Sequence, residues 1–543
     1  MTSNAQANPG HPILKRLAGV LLLVVSATAL AQPSADASAP AYDMDADVNR
    51  VLTMFDVPGI AIAVLKDGKV LAARGFGVRK LGEAAPVDGQ TLFEIAANSK
   101  AFTAAMLAML VDEGKLAWDD PVTRHLPDFQ MYDPYVTREM TVRDLLSNRS
   151  GLGVAAGDLM WWPTSTFSAD EIIHNLRFIA PATSFRSRYT YEYLPYIVAG
   201  KIIAQKRGKP WGDAVRERIL APLGMKQTTT SLAENAGVLD QAAPHSKVDG
   251  KLAVAKPQAM ANAAPAMGIN TSAEDIAKWM TVLLDGGKLA TPGADGKERR
   301  LFSAAQSREM WTPQTPIRVN EPKPQLAATK ANFAASGLGF ELRDYRGVKL
   351  ALHGGWQFGF YSTVVLAPSA KLGIAILTNA ESTPALNALK YRLLDQYLGL
   401  APTDWIKAVG DVATEARAQE AEERTTDSTH TAKSAPSLAP SAYEGEYRDA
   451  WYGSATVKTV GGKQVLSFVR TPDMAGELEH FHHDTFIVRW KERSLNADAY
   501  VTFSLKPDGS VERMKMAAIS ADTDTSFDFQ DLTFMAVTPV AAK

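Results

Sequence analysis

The chain has 543 residues, more than a single compact core holds and enough for two or three folded units. Its 46% hydrophobic and 21% charged residues are the balance of a soluble globular protein, and a net charge of −2 excludes a dominant electrostatic affinity for nucleic acid or an anionic membrane. With no cysteine, it has no disulfide, thiolate metal site, cysteine nucleophile or lipid-attachment cysteine.

Residues 1–31 read as a secretory signal. Lys15 and Arg16 supply the positive flank, Leu17 to Val25 an apolar run, and Ala29-Leu30-Ala31 a small-x-small cleavage pattern, with Gln32 as the mature start. At roughly nine strongly apolar residues the run is well short of the ~20 that a spanning helix needs, and no other stretch is long enough. A periplasmic or secreted protein without a membrane span after cleavage is expected.

An amphipathic helix is expected over Asp43 to Phe55. Apolar runs at Gly59 to Leu65 and Val70 to Gly77 flank Asp67-Gly68, a hairpin signal. From Asn98 to Gly114, Phe102, Met106, Leu107 and Leu110 recur at helical spacing, and Gly114 marks the helix end. The middle region alternates helical segments (Ala199 to Lys206, Ala214 to Leu220, Ala273 to Leu284) with loops rich in Pro, Gly and Ser. Strand-like runs return at Gly337 to Leu342, Lys349 to Leu352, Tyr361 to Leu366 and Leu372 to Leu377, before a helix over Ala385 to Leu398. Strands at both ends of the region with helices between predict an α+β fold, an antiparallel sheet flanked by helices.

That region is assigned residues 32–405. Residues 406–440 lose their large apolar side chains and read as a charged helix and linker. Short strands such as Ala455 to Val460, Val465 to Val469, Thr485 to Trp490 and Tyr500 to Leu505 then predict a small all-β domain over 441–543.

Acyl transfer from an amide or ester needs an activated hydroxyl, a base within reach and backbone donors for the oxyanion. Serine and lysine at i and i+3 on a helix N-terminus meet the first two needs, because one turn brings the amine beside the hydroxyl. The segment Phe93-Glu94-Ile95-Ala96-Ala97-Asn98-Ser99-Lys100-Ala101-Phe102-Thr103-Ala104 matches this pattern with alanine, Ala97, at the nucleophile position. No serine in the chain has lysine three residues later.

With its Asn-Ser-Lys-x-Phe-Thr-Ala run, the segment resembles the motif-bearing stretch of serine β-lactamase-like and penicillin-binding-protein-like hydrolases. Three more stretches extend the resemblance over about Asp43 to Leu400. Tyr191-Glu192-Tyr193, leading to Tyr196 and Gly200, resembles the Tyr-x-Asn element with Tyr193 in place of asparagine. His353-Gly354-Gly355-Trp356 looks like the His-x-Gly version of the Lys-Thr-Gly strand. Thr141 to Leu152 resembles Leu-Leu-x-His-x-Ser-Gly-Leu with Asn148 for His, and Pro222-Leu223-Gly224-Met225 is a further family signature.

The resemblance implies catalytic roles for position 97, Lys100, Tyr191 and His353, and substrate contacts from Tyr193, Gly355 and Trp356. A Tyr191 phenolate sharing protons with Lys100 would be the base, and the N–H groups of Ala97 and Trp356 the oxyanion hole. It implies no cofactor or metal, and a small-molecule or peptide substrate. The motif set is closest to His-x-Gly peptidases and esterases with an appended β domain, including enzymes that cleave linear peptides such as linearised microcystin. Carboxylesterase and β-lactamase are the alternative activities within the family, and a catalytically silent peptide-binding protein is the alternative outside it.

Ala97 is read as an engineered replacement of serine or as the mark of a pseudoenzyme. In either case the chain as written should not acylate. Glu479-His480-Phe481-His482-His483-Asp484 has the composition of a metal cluster, but only His480 and His482 would share a strand face. Met160-Trp161-Trp162-Pro163, with Tyr193, Trp356 and Phe358, is a candidate aromatic wall.

Overall fold

The computed structural model describes residues 42–248, 250–293, 295–427 and 434–537. The expected signal sequence and part of the expected linker lie outside these residues. The described residues from Met44 onward form one compact unit.

Helix α1 (Met44–Phe55) leads into a hairpin, β1 (Gly59–Lys66) and β2 (Lys69–Gly77). Asp67 and Gly68 turn it with φ of +49° and +75°, the left-handed backbone that an Asp-Gly turn supplies. Helices α2 (Ser99–Asp112), α3 (Leu194–Arg207) and α4 (Ala273–Leu284) belong to the intervening region. The sheet is completed by β3 (Thr315–Pro316), β4 (Ala334–Ser336), β5 (Glu341–Tyr345), β6 (Val348–Gln357), β7 (Phe360–Ala367) and β8 (Leu372–Thr378).

The strand order is β2-β1-β8-β7-β6-β5-β4-β3, so the first strands of the chain close onto the last. The β1–β8 register, Ile60 opposite Thr378 through Lys66 opposite Leu372, makes β1 an interior strand buried from Gly59 to Leu65. Such two-sided burial explains why it reads as a continuous apolar run rather than an alternating one. Helix α5 (Thr383–Leu398) follows β8, and α6 (Trp405–Asp427) leads out of the region.

Three expectations shift. The run Gly337 to Leu342 is not one strand: residues 337–340 are the turn between β4 and β5, closed by Gly337 N–H donating to the Phe340 carbonyl at 2.7 Å, and Glu341 and Leu342 open β5. A Cβ on Gly339 (φ +81°) would lie 2.9 Å from the Lys100 carbonyl and 2.8 Å from the Ala104 side chain, so this turn is wedged against α2. Helix α3 starts at Leu194, not Ala199, immediately after Tyr193. The expected Ala214 to Leu220 helix is a short α-segment, Trp211–Val215, continued by a π-turn over Arg216–Leu220.

The C-terminal strands, from β9 (Gly445–Asp449) to β16 (Phe534–Ala536), close into an eight-stranded antiparallel barrel. Closure leaves no unpaired sheet edge. The barrel is filled by aromatic side chains, among them Tyr447, Tyr452, Phe468, Trp490 and Phe503.

Helix α2 is buried along its whole length from Ser99 to Leu110, as its all-round apolar sequence requires. Its neighbour α3 is held against the 264–267 helical turn by Gly200, where a Cβ would meet the Pro265 ring at 2.1 Å. Gly200→Ala gains helix propensity worth up to ~1 kcal/mol but overpacks this contact, and a net loss of about 1–2 kcal/mol is expected in chemical denaturation. An unchanged or raised midpoint would show that α3 has room to move.

Candidate active site

The segment ahead of α2 carries an unusual backbone. Ala96 has φ +48°, a left-handed conformation costly for a residue with a Cβ, and Ala96–Asn98 forms a 3-10 turn that runs straight into α2. Ala97 sits in the first turn of this helical run, where backbone N–H groups have no intrahelical partner. Ser99 is not a substitute nucleophile. Its hydroxyl donates to the Ala96 carbonyl at 2.6 Å and accepts from Ile269 N–H at 2.9 Å, both in the interior.

The strand β6 is pressed against this turn. A Cβ on Gly355 would stand 2.1 Å from the Ile95 carbonyl and 3.0 Å from Asn98 Nδ2, so only glycine lets the strand approach. Asn98 Nδ2 donates to Ser362 Oγ at 2.9 Å, and Ser362 Oγ donates to the Ile95 carbonyl at 3.0 Å, tying the turn to β7. At the far end of β6 the buried Gln357 amide donates to the Glu94 carboxyl.

Lys100 is wholly buried. Its ammonium donates to the Glu192 carbonyl at 2.8 Å and faces three phenol rings, with centroids at 3.7 Å (Tyr191), 4.2 Å (Tyr193) and 4.9 Å (Tyr196). Burial pulls its pKa from 10.5 down to about 7, against the partial opposition of Asp158 and Glu192. Glu192 answers in the opposite sense. Burial pushes its carboxyl up to about 8, although Ser150 N–H donates to it. A neutral amine beside a neutral carboxylic acid is therefore accessible near neutral pH.

The expected Tyr191 phenolate does not fit this arrangement. The amine lies over the ring face, and burial raises the phenol well above its ordinary value. The side chains of Tyr191 and Tyr193 interact, which adds to the rise at Tyr191. His353 stands on β6 with its ring 6.1 Å from that of Tyr191, and burial followed by the Lys100 charge lowers it to about 3. It is a neutral imidazole. Its Nδ1 lies 2.5 Å from the Gly354 carbonyl, which assigns the proton to Nδ1 and leaves Nε2 as an acceptor.

Other expected residues gather around this core. Tyr193 packs on Trp161 (4.8 Å between centroids), and Trp162 stacks on Phe358 (4.2 Å, 7°). Trp356 is 41% exposed and stands at the mouth of the site. Asn148, in left-handed backbone at φ +53°, accepts from Glu192 N–H at 3.2 Å and so positions the Tyr191–Tyr193 segment. Sequence reasoning passed over Glu192, Asp158 and Asn98. Only the tyrosines flanking Glu192 drew notice, and nothing local marks a buried carboxyl.

The histidine-rich run behaves differently from expectation. A bulge between His480 and His482 breaks the alternation that would have put them on one face. His480 Nε2 pairs with the His483 carbonyl and His482 Nδ1 with Ser434 Oγ. Among the described residues no group of three or more His, Cys, Asp or Glu side chains is disposed to hold a metal ion.

A buried lysine one turn after a strained helix entry, faced by tyrosines and a glycine-bearing strand edge, defines a β-lactamase/penicillin-binding-protein-like fold. The chain belongs to the Beta-lactamase family, whose model matches residues 45–398, and a domain of unknown function (DUF3471) matches residues 429–536. It is 30% identical over 384 residues to Unguisins hydrolase ungD' of Aspergillus campestris, covering 67% of each chain. It is 26% identical to Unguisins hydrolase ungD of Aspergillus violaceofuscus over 88% of each. The fold is also that of the octameric penicillin-binding protein homologue from Pyrococcus abyssi, at TM-score 0.57 and 21% identity over 90% of this chain and 98% of that one.

Burial pushes the Glu94 carboxyl from 4.5 up to about 8. Between these values the folded state holds a proton that the unfolded chain releases, so this group makes stability fall as pH rises. Glu94→Gln removes the titration while keeping a partner for Gln357. Across that window the variant should gain on the parent by up to about 1.4 kcal/mol per pH unit in urea denaturation. A pH-independent difference between the two would mean that Glu94 is ionised in the folded protein.

Proposed function

We propose that this chain is an exported acyl-transfer hydrolase of amide and peptide bonds, silent in its present form because position 97 lacks a hydroxyl. The observation that carries the reading is Lys100, fully buried one helical turn from position 97 with its pKa lowered to about 7. A buried lysine costs several kcal/mol of stability, and a general base poised near neutral pH is the return that catalysis makes on it. The two relatives are named as hydrolases, which supports the same reaction class. Export rests on the character of residues 1–31.

With serine at position 97, the Lys100 amine takes the hydroxyl proton as the oxygen attacks the substrate carbonyl carbon. The N–H groups of residues 97 and 356 receive the oxyanion. Collapse breaks the C–N bond, and the departing amine takes the proton back from Lys100. Water then attacks the ester with Lys100 again as base, releasing the acid and restoring the serine. Tyr191, held as a neutral phenol, donates a hydrogen bond to the leaving group or substrate rather than acting as base. Neutral His353 offers Nε2 as an acceptor. Esterase activity uses the same steps with an alkoxide leaving group.

The test is Ala97→Ser assayed beside the parent on p-nitrophenyl esters, D- and L-amino-acid amides, linear peptides and nitrocefin. Turnover is expected in the variant alone, best on amides or peptides. Adding Lys100→Ala should then cost about 10³-fold in kcat/KM. Because Lys100 acts unprotonated, kcat/KM should rise with pH through an inflection near 7. Silence of both proteins across the panel, with peptide binding intact, would leave the binding-protein reading.

A further inference from the structure

The barrel reaches the site. Residues 494–496 and 524–526, with Asp522, form one wall of a cavity of about 420 Å³. The facing wall is aromatic and includes Trp161, Trp162, Tyr191, Tyr193, Trp356 and Phe358. Three carboxylates, Glu381, Asp522 and Asp524, share this lining, and no Lys, Arg or His does.

The acidic wall is built rather than loose. Asp524 accepts from Ser526 N–H at 2.8 Å and caps the turn Thr525–Phe527. That turn is pinned to the catalytic region by Ser526 Oγ donating to Asp158 at 3.0 Å and Gly157 N–H donating to Asp528 at 2.6 Å. Glu381 is fixed by Ser246 Oγ and Gly359 N–H, at 2.5 and 2.8 Å, both on Oε1. Burial raises the carboxyl pKa of Glu381 and of Asp524, with a smaller contribution from Asp524 at Glu381, the direction that an entering cation would reverse.

A second observation points to a ligand. The Trp162 Nε1–H is buried without a hydrogen-bond partner, and the residue lines the cavity. Buried donors left unpaired are costly unless a ligand completes them. The indole donor suits a peptide carbonyl oxygen, the aromatic wall suits an apolar body, and the acids suit a positive charge.

We propose that this cavity selects substrates bearing an ammonium or guanidinium group, held against Asp522, Asp524 and Glu381 while the scissile bond lies at the Tyr191–Trp356 end. The proposal rests on the acyl-transfer reading of the site and adds the substrate class. The barrel is then part of the specificity pocket.

Binding to the parent chain, measured by calorimetry, tests it without turnover. The probes are phenylalanyl-leucinamide, its N-acetyl derivative and N-acetyl-arginyl-leucinamide. One of the cationic probes should bind about tenfold or more tighter than the neutral acetylated one, with the preference falling as salt rises. A preference for the free amine assigns the α-ammonium, and a preference for the arginyl probe assigns a cationic side chain. In Asp522→Asn/Asp524→Asn/Glu381→Gln, which keeps the Asp524 cap as asparagine, the preference should vanish while affinity for the neutral probe persists.

Equal or tighter binding of the neutral probe overturns the proposal, as does a preference that survives the triple substitution. Salt dependence in the parent decides the matter should the variant not fold. Charge-selective binding with a silent Ala97→Ser protein would remove the acyl-transfer reading alone. Turnover without charge preference would remove this one alone.

Discussion

Taking the Lys100 amine out of water is the constraint around which the rest of the site is arranged. A pKa lowered from 10.5 to about 7 corresponds to about 5 kcal/mol in favour of the free amine. One carbonyl and three phenol faces are what the protein returns, and a desolvated cation–π contact is worth about 2 kcal/mol. These contacts soften the penalty without cancelling it, which leaves the amine near its neutral state. The same low dielectric holds Glu192 and Tyr191 neutral and discharges His353. The groups around Lys100 thus rest uncharged in the folded protein.

Geometry follows from close backbone approach. Gly339 lets the β4–β5 turn lie on α2 beside Lys100, and Gly355 lets β6 touch the turn before Ala97. The left-handed Ala96 lies in that same turn. At Gly355 the approach sets main chain against main chain, beside the Ile95 carbonyl. Hydrogen bonds through Asn98 and Ser362 then lock the approach, so the geometry does not depend on bound substrate.

The barrel enters the same network. Asp158 accepts from Trp161 Nε1 at 2.8 Å and from Ser526 of the barrel at 3.0 Å. Trp161 in turn packs on Tyr193, which covers the Lys100 amine. Salt bridges from Arg470 to Glu171 and from Lys256 to Asp473 add to the docking, but they are partly exposed and contribute little. The buried Asp158 contacts connect barrel position to the aromatic face of the site.

Local sequence determined much of this. The Asp-Gly turn, the all-apolar α2 and the strands returning after residue 340 are set by period and backbone preference, which act over a few residues. The spacing of position 97 to Lys100 is likewise a one-turn relation readable from the chain. Ala97 is simply visible. What needed tertiary structure were the effects of distant groups. The Tyr191 phenol could not be placed against the Lys100 amine without knowing that Glu192 O, not the phenol oxygen, takes the hydrogen bond. Gly337 to Leu342 reads as strand until α2 is packed against it. Closure of the C-terminal strands into a barrel depends on the pairing of its first and last strands, Tyr447 with Ala536, and the delivery of Asp522 and Asp524 to a cavity shared with Trp162 depends on contacts such as that of Gly157 with Asp528, 371 residues apart. Periodicity and propensity decide what a segment is, while burial and long-range approach decide what its titratable groups can do.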